Sequence, residues 1–262
     1  AIAFTQATTP GTNYYVIVVP LNSYGSGLQF TYNFILPVAG TATITALTTI
    51  GGNITLTSSA YATSYNYYIS TDTTIANAIF TSNTATTGAA VAFSQAITPG
   101  IIYYALVVPI NSYGSGPQFT LSFILPSGGS VDPPNLTTSG GNLTISASTG
   151  ATSYTYYIST TTSQANSVYS NTTTTTGSAV SFSTTLQGST TYYALVVPTN
   201  TNGLGAQFNS SGVSFTLPSG GSVAAPNYTD TGGNITITAS TDATSYNYYI
   251  SPNTTIASAI FT

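Results

Sequence analysis

The chain contains no cysteine, histidine, lysine, arginine, methionine or tryptophan, and its four acidic residues are all aspartate: Asp72, Asp132, Asp230 and Asp242. Each absence removes a class of function. Without cysteine there are no disulfides and no thiolate metal sites. Without lysine or arginine nothing neutralises a phosphate backbone, so nucleic acid is excluded as a partner. Without histidine, cysteine, lysine or glutamate the usual proton shuttles and nucleophiles are missing, so the chain is expected not to be an enzyme. The four aspartates do not recur between equivalent positions, and only Asp230 and Asp242 lie within a calcium-loop length of each other, so neither a metal site nor a cofactor is expected.

Charged residues make up 2% of the chain, against about 25% in ordinary soluble domains. With no ion pairs, stability cannot rest on a salt bridge that acid would break. Only four carboxylates, of ordinary pKa about 3.9, titrate in the acid range. A surface of Thr, Ser, Asn and Gln also escapes the all-positive self-repulsion that lysine and arginine impose in acid. The composition fits an extracellular protein of an acidic or protease-rich setting. Compositional drift in a repeat protein accounts for it equally well. The longest apolar runs, such as 103–110, fall far short of the ~20 residues of a membrane-spanning helix. No initiator methionine or leader-like segment is seen, so the chain is expected to be processed or to belong to something longer.

What is present is repetition. YYVIVVPLNSYGSG begins at Tyr14, YYALVVPINSYGSG at Tyr103 and a third version at Tyr192, an interval of 89 residues each time. The motif GGN[IL]T begins at Gly51, Gly140 and Gly232, and ATSYNYYIS at Ala62 returns at Ala151 and Ala243. Three extra residues in the last interval fall in NSSGV, Asn209–Val213. A period of about 90 suits one small domain per repeat rather than a helical solenoid unit. Within each repeat Phe119, Leu121, Phe123 and Leu125 alternate, while NSYGSG and SGGSV clusters punctuate the strands. The GGN pairs read as turns, not phosphate loops, since no helix or lysine follows. The expectation is an all-β chain: 1–37 is the C-terminal part of a β-sandwich repeat, 38–126 and 127–218 are complete repeats, and 219–262 is the N-terminal part of another.

The stretch TPGIIYYALVVPINSYGSG resembles the sixth strand and following loop of a fibronectin type III domain, through Pro99, Gly100, Tyr103, Val107, Asn111, Gly114 and Gly116. SYNYYIS resembles the third strand and LTTSGGNLTISAS the first two. The resemblance implies tandem fibronectin type III-like, immunoglobulin-like sandwiches of an extracellular surface or filament protein, with Tyr103 as the corner tyrosine. The usual second-strand tryptophan is missing, leaving Ile54 and Leu56 to fill the core. NSYGSG holds no Arg-Gly-Asp, so integrin-type adhesion is not implied.

On that alignment Tyr103, Ala105, Val107 and Pro109 point inward, and Tyr104, Leu106, Val108 and Ile110 outward. The outward set is apolar in every copy: Tyr15, Ile17 and Val19, then Tyr193, Leu195 and Val197. Either neighbouring Tyr and Thr side chains shield it, or it is a contact between domains or chains. Asn-x-Ser/Thr acceptors stand at Asn53, Asn135, Asn142, Asn171, Asn209, Asn227, Asn234 and Asn253, hardly more than chance supplies in so Ser- and Thr-rich a chain. The partners expected are the chain itself, as a homopolymer or as neighbouring repeats of one longer chain, and surface glycans. The function expected is a structural repeat protein of an extracellular filament or cell-surface layer, possible acid adaptation and glycosylation included. An adhesin or carbohydrate-binding stalk, with Tyr68, Tyr104 and Tyr113 as candidate sugar contacts, and a viral surface fibre are the alternatives. The two end pieces are complementary parts of one repeat, which suggests a window on a tandem chain or subunits completing each other head to tail.

Overall fold

The computed structural model describes residues 2–188, 190–210 and 218–261. Most of the Asn209–Val213 insertion therefore lies outside the described residues. The chain forms two compact units. One comprises Ala1–Gly128, Ser148–Tyr154 and Val197–Ala206; the other Gly129–Ala147, Thr155–Val196 and Gln207–Thr262.

The first unit contains a complete sandwich. Strands Ala42–Thr48, Gly51–Leu56 and Ala90–Phe93 form one antiparallel sheet. Strands Ala78–Thr84, Ser64–Ser70 and Ile102–Asn111 form the other, with Phe119–Ile124 on the far side of Ile102–Asn111. First, second and fifth strands facing third, fourth, sixth and seventh is the fibronectin type III-like arrangement. Period-two alternation produces it: Tyr65, Tyr67 and Ile69 are buried while Asn66 and Tyr68 between them are half-exposed. The register sets Val107 opposite Tyr67 and Ala105 opposite Ile69, so the inward residues of adjacent strands meet on one face.

Aromatic rings occupy the core that lacks a tryptophan. Tyr67, Phe80, Phe93, Phe123 and Tyr103 form a chain with successive ring centroids 5.9, 6.1, 6.4 and 5.9 Å apart. Ile54 and Leu56 are fully buried beside them. The Tyr103 hydroxyl accepts the backbone N–H of Thr98 at 3.1 Å, the corner bond the resemblance implies. Tyr14 accepts from Thr9 at 2.9 Å and Tyr192 from Gln187 at 2.8 Å, with the same five-residue span. The GGN turn depends on its first glycine. Gly51 has φ +144°, and a Cβ there would overlap the Phe93 carbonyl.

The first unit also holds the Tyr14–Val18/Phe30–Phe34 hairpin, paired from Tyr14–Phe34 to Val18–Phe30. It corresponds to the sixth and seventh strands of a sandwich.

The second unit holds most of a further sandwich: Asn135–Thr137, Gly140–Thr144 and Ala179–Ser183 form one sheet, and Ser167–Thr173, Ser153–Ser159, Tyr193–Thr199 and Phe208–Asn209 the other, with the strand ends Ser153–Tyr154 and Val197–Thr199 belonging to the first unit. Leu143, Ile145, Tyr156, Ile158 and Ala194 are its buried core. Beyond residue 218 the strands Ser222–Val223 and Ile237–Thr238 pair, as do Asn227–Thr229 and Gly232–Asn234. These are the early strands of a further sandwich, and their apolar residues are largely exposed.

Each repeat turns from its third to its fourth strand through one 3₁₀ turn, at Ile75–Asn77, Gln164–Asn166 and Ile256–Ser258. A side-chain oxygen at one equivalent position organises it. Asp72 accepts from Thr74 N–H and Asn77 Nδ2, both at 2.7 Å. Thr161 accepts from Asn166 Nδ2 at 3.0 Å, and Asn253 from Thr255 N–H at 3.0 Å. Asp72 is a turn former.

Candidate functional site

The most elaborate polar arrangement lies in the first unit, where the end of one repeat meets the loops of the next. Its centre is an asparagine in the loop after the sixth strand. The Asn111 amide nitrogen donates to the carbonyls of Ile35 at 2.8 Å and Tyr61 at 3.0 Å. Its Oδ1 accepts the N–H groups of Tyr113 at 2.9 Å and Gly114 at 3.2 Å. Asn200 repeats this, donating to Ile124 at 2.9 Å and Gly150 at 2.8 Å and accepting from Asn202 at 2.9 Å and Gly203 at 3.0 Å.

The four bonds have a common logic. Ile35 directly follows, and Ile124 ends, the last strand of the preceding repeat; Tyr61 and Gly150 sit in a turn of the asparagine's own repeat. One planar amide therefore ties the end of one module to two loops of the next, and each of its two donors and its acceptor oxygen is used. The turn is preshaped, because Tyr61 and Gly150 lie in the left-handed region at φ 67° and 75°. Close approach is secured by glycine. A Cβ on Gly116 would overlap the Pro37 carbonyl, and one on Gly205 the Pro126 carbonyl. The Pro37 and Pro126 that close successive repeats thus lie directly against the next repeat's Gly-x-Gly loop.

Each joint adds contacts of its own. At the first, Tyr113 meets Tyr32 edge-on with centroids 6.1 Å apart. Their hydrogen bond raises the Tyr32 pKa above the ordinary phenol value. At the second, Asn202 replaces the tyrosine. Its carbonyl accepts from Leu47 N–H at 2.8 Å, its amide donates to the Ile44 carbonyl at 3.3 Å, and its Oδ1 accepts from Ile124 N–H at 3.4 Å. Leu47 is buried there, beside an apolar cavity of about 400 Å³ that Leu125 and Leu204 also line. Ser127 and Thr149 exchange backbone bonds at 3.1 and 2.9 Å, and Ser148 Oγ donates to the Gly128 carbonyl at 2.7 Å. At about 0.5–1.5 kcal/mol net per neutral bond, each joint is held by several kcal/mol before apolar contacts are counted.

The outward residues of the sixth strand are placed unequally. Leu106 and Leu195 are fully buried and Val197 nearly so. Leu106 stands between Tyr68 and Thr120 on the adjacent strands, whose side chains share its face. Tyr104, Val108, Ile110 and Tyr193 are half-buried. Tyr15, Ile17 and Val19 are 62%, 58% and 42% exposed, because the Tyr14–Phe34 hairpin has no third strand beside it among the described residues. Among the candidate sugar contacts, Tyr68 and Tyr104 are half-buried and Tyr113 is engaged with Tyr32.

The eight glycan-acceptor asparagines all reach the surface. Asn135, Asn171, Asn227, Asn234 and Asn253 are exposed, and Asn53, Asn142 and Asn209 are half-exposed. Asn135 pairs directly with Asn142, and Asn227 with Asn234. Among the described residues no three His, Cys, Asp or Glu gather as a metal site, and no helix is long and apolar enough to cross a membrane.

In the sequence Asn111 stands out only as one of the residues that carry the fibronectin type III resemblance. The signal was its recurrence at Asn22, Asn111 and Asn200 in the same loop.

No known protein family matches the sequence, and no curated protein does. Among solved structures, the chain is similar to the FN1–FN3 domains of chicken CNTN1. The identity is 15%, the match covers 79% of this chain and 76% of that one, and the TM-score is 0.38. A likeness this slight assigns no function, and the fold rests on the strand order itself.

Proposed function

We propose that this chain is a structural repeat protein of an extracellular filament or cell-surface layer, with β-sandwich modules joined in series. The carrying observation is the asparagine clamp, made with the same four bonds at two successive joints. Modules that only display binding sites tolerate flexible linkers. Here the linking residues are bonded into both neighbours, which suits a part that transmits force and fixes the bend between modules.

The composition supports the same reading. A surface nearly without charge offers no lysine or arginine to trypsin-like proteases and little for acid to titrate. Glycans on the exposed asparagines supply the solubility that a net charge of −4 does not. The chain is not an enzyme, and its partner is its own kind.

Electron microscopy of native material, with an antibody against residues 38–126 as label, tests this. Labelled filaments or a surface lattice are expected. Label confined to dispersed single molecules overturns the reading. A glycan array separates the adhesin alternative: silence is expected, and saturable binding by the protein favours the adhesin.

A further inference from the structure

We propose that Asn202–Gly203, in the loop that closes the second joint, is a modification site. The closed joint holds off its conversion to aspartate or isoaspartate, and an opened joint commits to it.

The sequence singles out the pair. Asn202 is the only asparagine of the chain followed by glycine. The main-chain nitrogen after an asparagine can attack the side-chain amide carbon, and a following side chain crowds that attack; glycine has none. The Gly203 nitrogen, on losing its proton, bonds to Asn202 Cγ. The Cγ–Nδ2 bond breaks, and Nδ2 takes up a proton and leaves as ammonia. Water then opens the five-membered imide. Attack at Cγ gives aspartate; attack at the main-chain carbonyl carbon gives isoaspartate, whose main chain runs through Cγ. Nothing is oxidised or reduced, and water is the sole co-reactant.

Ring closure needs two motions, and the joint blocks both. The peptide plane between Asn202 and Gly203 must turn until its nitrogen faces Cγ. That plane is tied at each edge. The Asn202 carbonyl accepts Leu47 N–H at 2.8 Å, and Gly203 N–H donates to Asn200 Oδ1 at 3.0 Å. The side-chain amide must also swing back over its own main chain. It is spread instead against the preceding repeat, with Nδ2 donating to the Ile44 carbonyl at 3.3 Å and Oδ1 accepting Ile124 N–H at 3.4 Å. Gly203 bridges Leu47 so closely that a Cβ would overlap the Leu47 carbonyl. The glycine that permits this packing is the one that makes the pair labile. All these residues belong to the first unit.

The restraints fail together. Leu47, Ile44 and Ile124 all belong to the preceding repeat, so parting the two repeats frees both the peptide plane and the amide. The reaction does not reverse, and its product no longer fits. A carboxylate has no donor for the Ile44 carbonyl and sets a charge against that oxygen. Isoaspartate also adds a methylene to the main chain between the Asn200 and Leu47 contacts. The first joint is exempt, because Tyr113 stands at the equivalent position. The second joint thus keeps a chemical record of having been open, whatever the chain assembles into.

The full-length protein and its Asn200→Ala variant are held in mildly alkaline buffer, with and without denaturant. Pepsin then cuts them, since trypsin has no lysine or arginine to act on. Mass spectrometry reads deamidation at each asparagine, and uptake of labelled oxygen from water marks the imide route. In denaturant Asn202 should react faster than every other asparagine, and in the folded wild type at least ~10-fold more slowly than in denaturant. Folded Asn200→Ala, which releases Gly203 N–H, should react at least ~5-fold faster than folded wild type. Asn202→Asp, made directly, should exchange Leu47 N–H faster than wild type while the core strands 64–70 and 102–111 keep their protection. Equal rates in folded and denatured wild type, or another asparagine outpacing Asn202 in denaturant, overturn the inference, and this comparison decides even where Asn200→Ala does not fold. A folded Asn200→Ala that exchanges Gly203 N–H faster yet deamidates no faster refutes the gating. Unchanged exchange at Leu47 in Asn202→Asp refutes the record.

Discussion

Asn111 and Asn200 make the same bonds to the same positions, each amide reaching carbonyls 76 and 50 residues before it. Replacing Asn200 with alanine leaves those carbonyls and two loop N–H groups without partners. The expected cost is about 1–3 kcal/mol, with faster hydrogen exchange at Gly203. Asn200→Asp costs more at neutral pH. The carboxylate still accepts the two N–H groups but faces two carbonyl oxygens, and its pKa is raised. An acid with a raised folded-state pKa is destabilising above its unfolded value and is relieved as pH falls and it protonates, restoring one donor. Asn200→Asp should therefore gain stability on acidification. Equilibrium unfolding of the three proteins at pH 3 and pH 7 checks the ranking and its pH dependence.

The architecture was legible because repetition triples every signal. The 89-residue echoes of Tyr103 marked the period, the fibronectin type III resemblance implied its corner bond, and alternation in 119–125 marked a strand. The clamp was not, because an asparagine in a Gly-rich loop is first of all a turn former, and Asn111 is one through its Oδ1. Its second role depends on a carbonyl 76 residues away, which no local pattern encodes. Alternation alone also left open whether Leu106 is shielded by neighbouring Tyr and Thr side chains or offered to a partner. It puts Leu106 on the outer face, but burial on a central strand depends on the width of the flanking side chains, here Tyr68 and Thr120.

That burial separates two substitutions on one strand face. Leu106→Asn places an amide where no solvent reaches and removes a packed side chain. It should destabilise the 38–126 sandwich by about 2–5 kcal/mol. Val108→Asn, at a half-buried position, should cost less than about 1.5 kcal/mol. A fall in assembly size by sedimentation with Val108→Asn, while its melting holds, would mark this face as a contact between chains. Equal destabilisation by both would contradict the packing described.

Acid has little to act on. Asp72 is held below the ordinary carboxylate pKa, chiefly by the Asn77 amide and also by Thr74 N–H and the Ser70 hydroxyl. A depressed folded-state pKa gives stability that is present above the unfolded value and lost as pH falls through the folded one, below about pH 4. Asp72 is half-exposed and solvent screens its contacts, so the loss is small. The melting temperature at pH 2 should lie within about 5 °C of that at pH 7. Asp72→Asn should flatten the remaining slope. A steep acid transition in the wild type would refute both the acid tolerance and its compositional explanation.

Alkali acts on a different group. The Tyr156 hydroxyl is pushed up to about 12, first by burial and then by its hydrogen bond with Tyr169. Their rings lie 6.0 Å apart, and the Tyr156 hydroxyl donates to the Ser181 carbonyl at 3.4 Å. In the unfolded chain a tyrosine ionises near pH ~10. Between that value and the folded one the unfolded state has released a proton that the folded state keeps. Stability must then fall as pH rises, by up to ~1.4 kcal/mol per pH unit from this residue. Tyr156→Phe removes the contribution. The complete sandwich packs Tyr67 on Phe80 at 5.9 Å, with a phenylalanine where this repeat has Tyr169, so a ring pair with a single hydroxyl already fits the site. Tyr156→Phe should therefore change stability by less than about 1 kcal/mol at pH 7 and make the protein more stable than wild type at pH 11. Denaturant unfolding followed by circular dichroism at the two pH values reads the crossover. A variant equally or less stable at pH 11 would show that Tyr156 keeps no proton the unfolded chain gives up.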